Sequence, residues 1–239
     1  MNRLDPGPAG LPGRVFENAI QLLRYEIGDI AADLSSPDPD IAAKARKVRD
    51  GRIALRDGLL FQHVSWVAAT IQFPGAAACP PHVRKADKGF DGLLIEINPQ
   101  RTSLSRLVLC EDKASANPRP LVTGNIWPEI RHIIAGEKDL EILAAVTALL
   151  DTMHGPDREA VLNAAIWDRV RQFRIAVTAG QDQLKGGGYQ HLFGGYDDHA
   201  VGELAIRMAE VMPMSDVRDY LTTLADQVIA KLESMAADV

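Results

Sequence analysis

The fold is decided by residues 90–115, which read FDGLLIEINPQRTSLSRLVLCEDKAS. Two apolar runs, Leu93–Ile97 and Leu107–Cys110, lie on either side of a polar segment whose Asn, Pro, Thr and Ser residues favour turns. This pattern predicts a β-hairpin. The antiparallel register that such a turn implies pairs position 91 with position 111, so that Asp91 and Glu111 face each other across the two strands.

The charged residues at the end of this hairpin predict a metal site. Because side chains alternate along a strand, Lys113 lies on the same face as Glu111, and Asp112 lies on the other face. Two facing carboxylates repel each other unless a cation lies between them, and their oxygens suit Mg²⁺ or Mn²⁺. Lys113 is then placed to orient or deprotonate a water, or to stabilise charge on a phosphate. The constellation predicts phosphodiester hydrolysis.

An Asp followed twenty positions later by Glu-x-Lys resembles the motif of the PD-(D/E)xK nuclease superfamily. Phe90 stands where the family's Pro would precede Asp91. The resemblance implies that Asp91 and Glu111 bind the metal, that the backbone carbonyl of Asp112 is an auxiliary ligand, and that Lys113 is catalytic. It also implies an α/β, restriction-endonuclease-like sandwich, with a central mixed sheet flanked by helices.

The rest of the chain fits an α/β order of elements. Both hairpin runs are apolar on both faces, which is typical of a sheet covered by helices on its two sides. Residues 59–71 are apolar almost all round and predict a helix buried against the sheet. Phe173–Ala179 predicts a buried parallel strand after a helical crossover, and residues 203–211 predict another strand. The Gly-rich residues 185–199 predict a mobile loop or, alternatively, a second metal or phosphate site formed by Lys185, His191, Asp197, Asp198 and His199.

Many PD-(D/E)xK folds place a further acidic residue or Gln on the helix before the hairpin. Asp57 and Gln62 are the nearest candidates, and the sequence does not choose between them.

Length and composition predict one large domain. Residues 1–13, which are rich in Pro and Gly, are interpreted as a flexible arm, and residues 14–239 as a single nuclease-like domain with a helical N-terminal extension. No apolar run approaches the roughly 20 residues of a membrane helix. The start of the chain has neither the basic region nor the apolar region of a signal peptide. These features predict a cytoplasmic protein that does not span a membrane.

A net charge of −6 disfavours a free-standing nucleic-acid binder. Two basic clusters, at residues 44–56 and 82–88, are interpreted either as solvated surface or as DNA contacts, and the second leads directly to Asp91.

One further resemblance concerns the order of segments: Lys88–Gly92, an apolar strand, the Glu-x-Lys strand, helices, and the strand FRIAVTA (Phe173–Ala179). This order looks like that of the nuclease subunits of Hachiman-type antiphage defence. That resemblance implies a DNA nuclease with a helicase partner, inactive until the partner engages DNA. A partner that supplies DNA binding agrees with the acidic net charge.

Two other functions stay open at this point. One is a non-catalytic interaction or scaffold subunit that keeps a nuclease-like sheet, since fold alone does not give function. The other is a restriction-type endonuclease that acts alone, which requires sequence-specific base contacts.

Overall fold

A computed structural model describes residues 11–25, 28–81, 90–167 and 170–237. Its α-helices are α1 (Leu11–Arg24), α2 (Ala31–Leu34), α3 (Pro39–Gln72), α4 (Arg119–Leu121), α5 (Trp127–Ile134), α6 (Asp139–Asp151), α7 (Arg158–Trp167), α8 (Gly188–Phe193), α9 (Tyr196–His199) and α10 (Val217–Ala237). Its strands are β1 (Ala77–Cys79), β2 (Gly92–Ile97), β3 (Leu104–Lys113), β4 (Arg171–Ala179) and β5 (Arg207–Pro213). Short 3₁₀ helices cover Gly28–Ile30, Gln181–Leu184 and Leu204–Ile206, and a π-helix covers Val122–Ile126.

The five strands form one mixed sheet in the order β1-β2-β3-β4-β5. Strands β1, β2 and β3 are antiparallel neighbours, whereas β3, β4 and β5 run parallel. Gly92 pairs with Cys110, so the register predicted for the hairpin is confirmed, and Asp91 lies at the position opposite Glu111. The predicted parallel strand is also confirmed, as β4.

Helices cover both faces of the sheet, which confirms the predicted α/β class with a central mixed sheet. The larger core contains one face of strands β2 to β4, with residues such as Leu109 and Ile175, together with apolar residues of α5, α6 and α7. The opposite face carries a smaller core in which Leu94, Val108 and Cys110 meet Ala69 of α3. Burying apolar surface on both faces is the principal source of stability for such a sheet.

Helix α3 is buried on one side only in the segment that lies against the sheet. Phe61, Ser65 and Ala69, spaced four residues apart, are each 1% exposed, whereas Val67 and Ile71 are 48% and 74% exposed. The prediction that the apolar segment 59–71 is buried is therefore correct for one face. This single buried face matters for the site because it directs Ser65 at the sheet.

The chain divides into two compact units, Met1–Leu60 with Arg218–Val239, and Phe61–Val217. The first unit is helical in its described residues and contains α1, α2, most of α3 and nearly all of α10. The second contains the whole sheet. The proposed flexible arm lies almost wholly outside the described residues, which begin at position 11, inside that arm.

Arginines of the basic run at residues 44–56 pair with neighbouring carboxylates in the first unit. Arg49 pairs with Asp50 at 2.9 Å, and Arg52 pairs with Asp29 at 2.6 Å. Arg56, the last residue of the run, is buried in a further ion pair within the same unit. The run therefore presents fewer free cations for DNA than its sequence implies. The second basic cluster, at residues 82–88, lies outside the described residues.

The Gly-rich segment is a folded part of the second unit, so its interpretation as a loop is wrong for α8 and α9. Leu192, Phe193 and Tyr196 are buried, and the Tyr196 hydroxyl donates to the carbonyl oxygen of Phe173 at 2.8 Å. The last strand begins at Arg207, four residues later than predicted, because a 3₁₀ turn precedes it. In the described part of the chain, no helix has the length and apolar character needed to cross a membrane.

Candidate active site

Asp91 lies immediately before β2, and its side chain accepts a backbone hydrogen bond from β3. Its Oδ2 accepts a hydrogen bond from the backbone N–H of Asp112 at 2.9 Å and one from Lys113 Nζ at 2.5 Å. Because β2 begins only at Gly92, the Asp91 side chain supplies an acceptor for an N–H of β3 beyond the end of the backbone pairing. The carboxylate is therefore held in a fixed orientation at the sheet edge.

Glu111 and Lys113 complete the cluster from the same face of β3. The Lys113 Nζ atom lies 3.1 Å from Glu111 Oε2, so a single ammonium contacts both the Glu111 and Asp91 carboxylates. The side chains of Asp91 and Glu111 are only 13% and 9% exposed. The structure thus brings together the three residues that the sequence singles out, in a nearly dry environment.

The electrostatics of this cluster are dominated by burial. Burial raises the pKa of Glu111 to about 8; the nearby Asp91 charge adds to this rise, and the Lys113 charge opposes it. For Lys113 burial lowers the pKa, but the charges of Glu111 and Asp91 outweigh burial and raise it above its usual value. Lys113 is therefore a firmly charged ammonium.

Gln62 is the residue of the preceding helix that reaches the site. Its Nε2 donates to Asp91 Oδ1 at 2.5 Å, so that both carboxylate oxygens of Asp91 are held. Asp57 instead forms ion pairs with Arg56 at 2.7 Å and Arg218 at 2.8 Å inside the first compact unit. Five residues on an α-helix correspond to a rotation of about 140°, so the two candidates point in different directions.

The Asp112 side chain points away from the cluster, as the alternation along β3 predicts. It is 3% exposed, and its Oδ1 accepts hydrogen bonds from Ser65 Oγ at 2.6 Å and Arg174 Nη1 at 3.4 Å. Burial raises the pKa of Asp112 to about 7, against the lowering effects of Ser65 and Arg174. Only the backbone of Asp112 can therefore take part in the candidate site.

Sequence reasoning missed several residues near the site. The charged Arg174 within the otherwise apolar strand FRIAVTA was a signal, because a buried Arg requires carboxylate partners. Ser65 in an apolar helix gave a weaker signal of the same kind. Glu129 of α5 adds to the negative potential that raises the pKa of Glu111, and it pairs with Lys138 at 3.6 Å. Nothing in its sequence spacing connects Glu129 with Glu111.

The donor set fits a magnesium-like ion. Among the residues that the structure describes, no group of three or more His, Cys, Asp or Glu side chains is arranged to hold a metal. Mg²⁺, however, is usually bound by only one or two carboxylates together with waters and substrate phosphates. Asp91 and Glu111 provide two carboxylates that converge on one point, and the Asp112 carbonyl lies on the strand between Glu111 and Lys113.

No protein-family model matches the chain. A search of the curated proteins finds no significant sequence match.

Proposed function

We propose that the chain is a metal-dependent nuclease that hydrolyses phosphodiester bonds of DNA. The observation that carries the proposal is the convergence of Asp91 and Glu111 on the Lys113 ammonium at 2.5 and 3.1 Å, in a site from which most solvent is excluded. Two carboxylates can hold a metal ion, and that ion together with the ammonium can neutralise and orient a phosphate.

Each residue of the site has a separate role. Asp91 and Glu111 would hold the metal ion, which when bound would act as a Lewis acid and lower the pKa of a coordinated water. Gln62 and the Asp112 N–H keep Asp91 oriented. A water oxygen attacks phosphorus as one of its protons passes to solvent, the bond from phosphorus to the leaving oxygen breaks as that oxygen takes a proton from solvent, and negative charge develops on the non-bridging phosphate oxygens. We assign Lys113 to stabilising that charge, because a protonated amine has no lone pair with which to act as a base.

The wider context of the activity is part of the same proposal. We infer that the enzyme works in the cytoplasm as the effector of an antiphage complex and that a helicase partner delivers DNA to it. Two observations support a partner: the chain has a net charge of −6, and several arginines of its basic run are neutralised within the chain. Phosphate binding by the isolated chain is expected to be weak.

A scaffold role is the second candidate, and one observation favours it. Lys113 bridges the two carboxylates, so the cluster carries its own compensating charge, as a purely structural ion cluster does. Under this alternative the protein binds no Mn²⁺ at Asp91 and Glu111. Metal binding therefore separates the two functions.

Cleavage of supercoiled plasmid, linear duplex and single strands in Mg²⁺ or Mn²⁺ tests the proposal, with and without the helicase partner. Glu111→Gln and Lys113→Ala are expected to abolish cleavage. Glu96→Gln is the matched control, because Glu96 is a half-buried carboxylate of the same hairpin that pairs with Arg106 away from the site. Cleavage that survives both site substitutions, or EDTA, contradicts the proposal.

A further inference from the structure

A buried network of charged side chains lies on the face of the sheet opposite Glu111 and Lys113. Arg174 is 1% exposed, and its Nη1 donates to Ser65 Oγ at 2.8 Å and to Asp112 Oδ1 at 3.4 Å. The Ser65 hydroxyl donates in turn to Asp112 Oδ1 at 2.6 Å. The other side of the guanidinium pairs with the Glu210 carboxylate, where Nε donates to Oε1 at 3.0 Å.

The sheet register explains why these groups meet. Asp112 of β3 lies level with Ala176 of β4, and Ala176 lies level with Glu210 of β5. Arg174 is two residues before Ala176 on the same face of β4, so its long side chain reaches both carboxylates. Ser65 approaches from α3 above the same face. Ser65 of α3 and Arg174 of β4 therefore both contact Asp112, the middle residue of the Glu-x-Lys motif, and Glu210 of β5 joins the network through Arg174.

A contribution to folding stability does not by itself explain why these charged side chains are buried. Buried ion pairs contribute little net stability compared with well-packed apolar residues, because the charges must be desolvated. The network nevertheless holds the residue between Glu111 and Lys113. The Asp112 backbone N–H donates to Asp91 Oδ2 at 2.9 Å. In an extended strand the N–H and C=O of one residue point to the same side, so the Asp112 carbonyl faces the same edge as Asp91.

We propose that Ser65 and Arg174 are positioning residues that hold the Asp112 side chain and thereby fix its backbone, with the N–H on Asp91 and the carbonyl at the metal site. This inference rests on the proposed function, since the peptide is positioned for a metal ion. Neither Ser65 nor Arg174 touches the substrate; both act through Asp112.

Manganese binding measured by titration calorimetry tests the inference without relying on activity. Ser65→Ala removes the hydroxyl that bridges Asp112 and Arg174, and Ser65→Thr keeps a hydroxyl at the same place. We expect Ser65→Ala to raise the Mn²⁺ dissociation constant about tenfold, as is typical when a group that orients a metal ligand is lost. Ser65→Thr is expected to restore most of the affinity. Arg174→Gln, measured beside them, is expected to weaken Mn²⁺ binding in the same direction.

Tyr196→Phe is the matched control for losing a buried hydroxyl. The Tyr196 hydroxyl hydrogen bonds to the Phe173 carbonyl, so its loss is expected to lower the melting temperature and leave Mn²⁺ affinity unchanged. If wild type binds Mn²⁺ and Ser65→Ala binds it equally well, the positioning role is overturned while the nuclease proposal stands. If Tyr196→Phe weakens Mn²⁺ binding as much as Ser65→Ala does, the positioning role is also overturned. Wild type that binds no Mn²⁺ overturns the proposed function and this inference together.

Discussion

Lys113 donates from Nζ to Oδ2 of Asp91 at 2.5 Å, and this ion pair places an internal cation at the point where a metal ion is proposed to bind. The same ammonium lies 3.1 Å from Glu111 Oε2. It offsets the repulsion between the two carboxylates when both are ionised. A divalent ion attracted to the same oxygens therefore competes with Lys113 for them.

Replacing Lys113 by Met is expected to separate metal binding from catalysis. Without the competing ammonium, the dissociation constant for Mn²⁺ is expected to fall on the order of tenfold. Cleavage is expected to fall by about a hundredfold or more, because the charge that develops on the phosphate is no longer stabilised. Calorimetry and single-turnover cleavage measure the two effects. Lys185→Met, which removes an exposed lysine paired with Asp182, is the control and is expected to change neither. Weaker Mn²⁺ binding in Lys113→Met contradicts the competition argument.

Replacing Gln62 by Leu is expected to weaken metal binding without unfolding the protein. Leu has nearly the volume of Gln but cannot donate to Asp91 Oδ1, so the carboxylate loses one of the groups that orient it. The Mn²⁺ dissociation constant is expected to rise about tenfold. Gln72→Leu, at the exposed end of the same helix, is the control. An unchanged dissociation constant shows that the contact between Gln62 and Asp91 does not contribute to metal binding.

The hairpin could be predicted from sequence because all of its determinants are local. The alternation and turn chemistry of residues 90–115 fix the register, and with it the juxtaposition of Asp91 and Glu111. The choice between Asp57 and Gln62 could not be made because it depends on how α3 is rotated about its axis. That rotation is set by packing of α3 residues against other parts of the chain, which sequence spacing alone does not reveal.

The network around Arg174 shows a second limit of sequence reasoning. Its members come from α3, β3, β4 and β5, and only the sheet order makes them neighbours. A charged residue in a buried strand indicates that partners exist but does not identify them. The folded Gly-rich segment was missed for a related reason, because its buried residues Leu192, Phe193 and Tyr196 pack against the rest of the second unit.

Asp57 is expected to matter for stability and not for the metal. Its side chain is 7% exposed and pairs with the buried Arg56 and with Arg218. Asp57→Ala leaves the Arg56 charge buried without its carboxylate and is expected to lower the free energy of unfolding by about 3–5 kcal/mol. Asp50→Ala, which breaks an exposed pair with Arg49, is expected to cost less than about 1 kcal/mol. Urea denaturation measures both. If Asp57→Ala abolishes Mn²⁺ binding in folded protein, the assignment of the helix residue to Gln62 is wrong.

Stability of the metal-free protein is expected to fall as the pH rises from weakly acidic to weakly basic. Burial raises the pKa of Glu111 to about 8 and that of Asp112 to about 7, from ordinary values of 4.5 and 3.8. The folded state therefore holds these protons more tightly than the unfolded state. The resulting stabilisation is full below the unfolded pKa values. It declines between the unfolded and folded pKa values by up to about 1.4 kcal/mol per pH unit for each carboxyl group, and it is lost above the folded values.

Metal ions are expected to reverse this trend, because the metal-binding form of Glu111 is the deprotonated carboxylate. Adding Mn²⁺ should therefore raise the melting temperature more at about pH 8 than at about pH 6. Glu111→Gln removes one of the two titrating groups, so it should reduce the pH dependence in EDTA to the part that Asp112 contributes, and it should abolish the stabilisation by Mn²⁺. Glu96→Gln should do neither, since Glu96 pairs with Arg106 at the far end of the hairpin. A Glu111→Gln variant with the wild-type pH slope means that this carboxyl group is ionised in the folded protein at neutral pH, and that Lys113 outweighs burial in setting its charge.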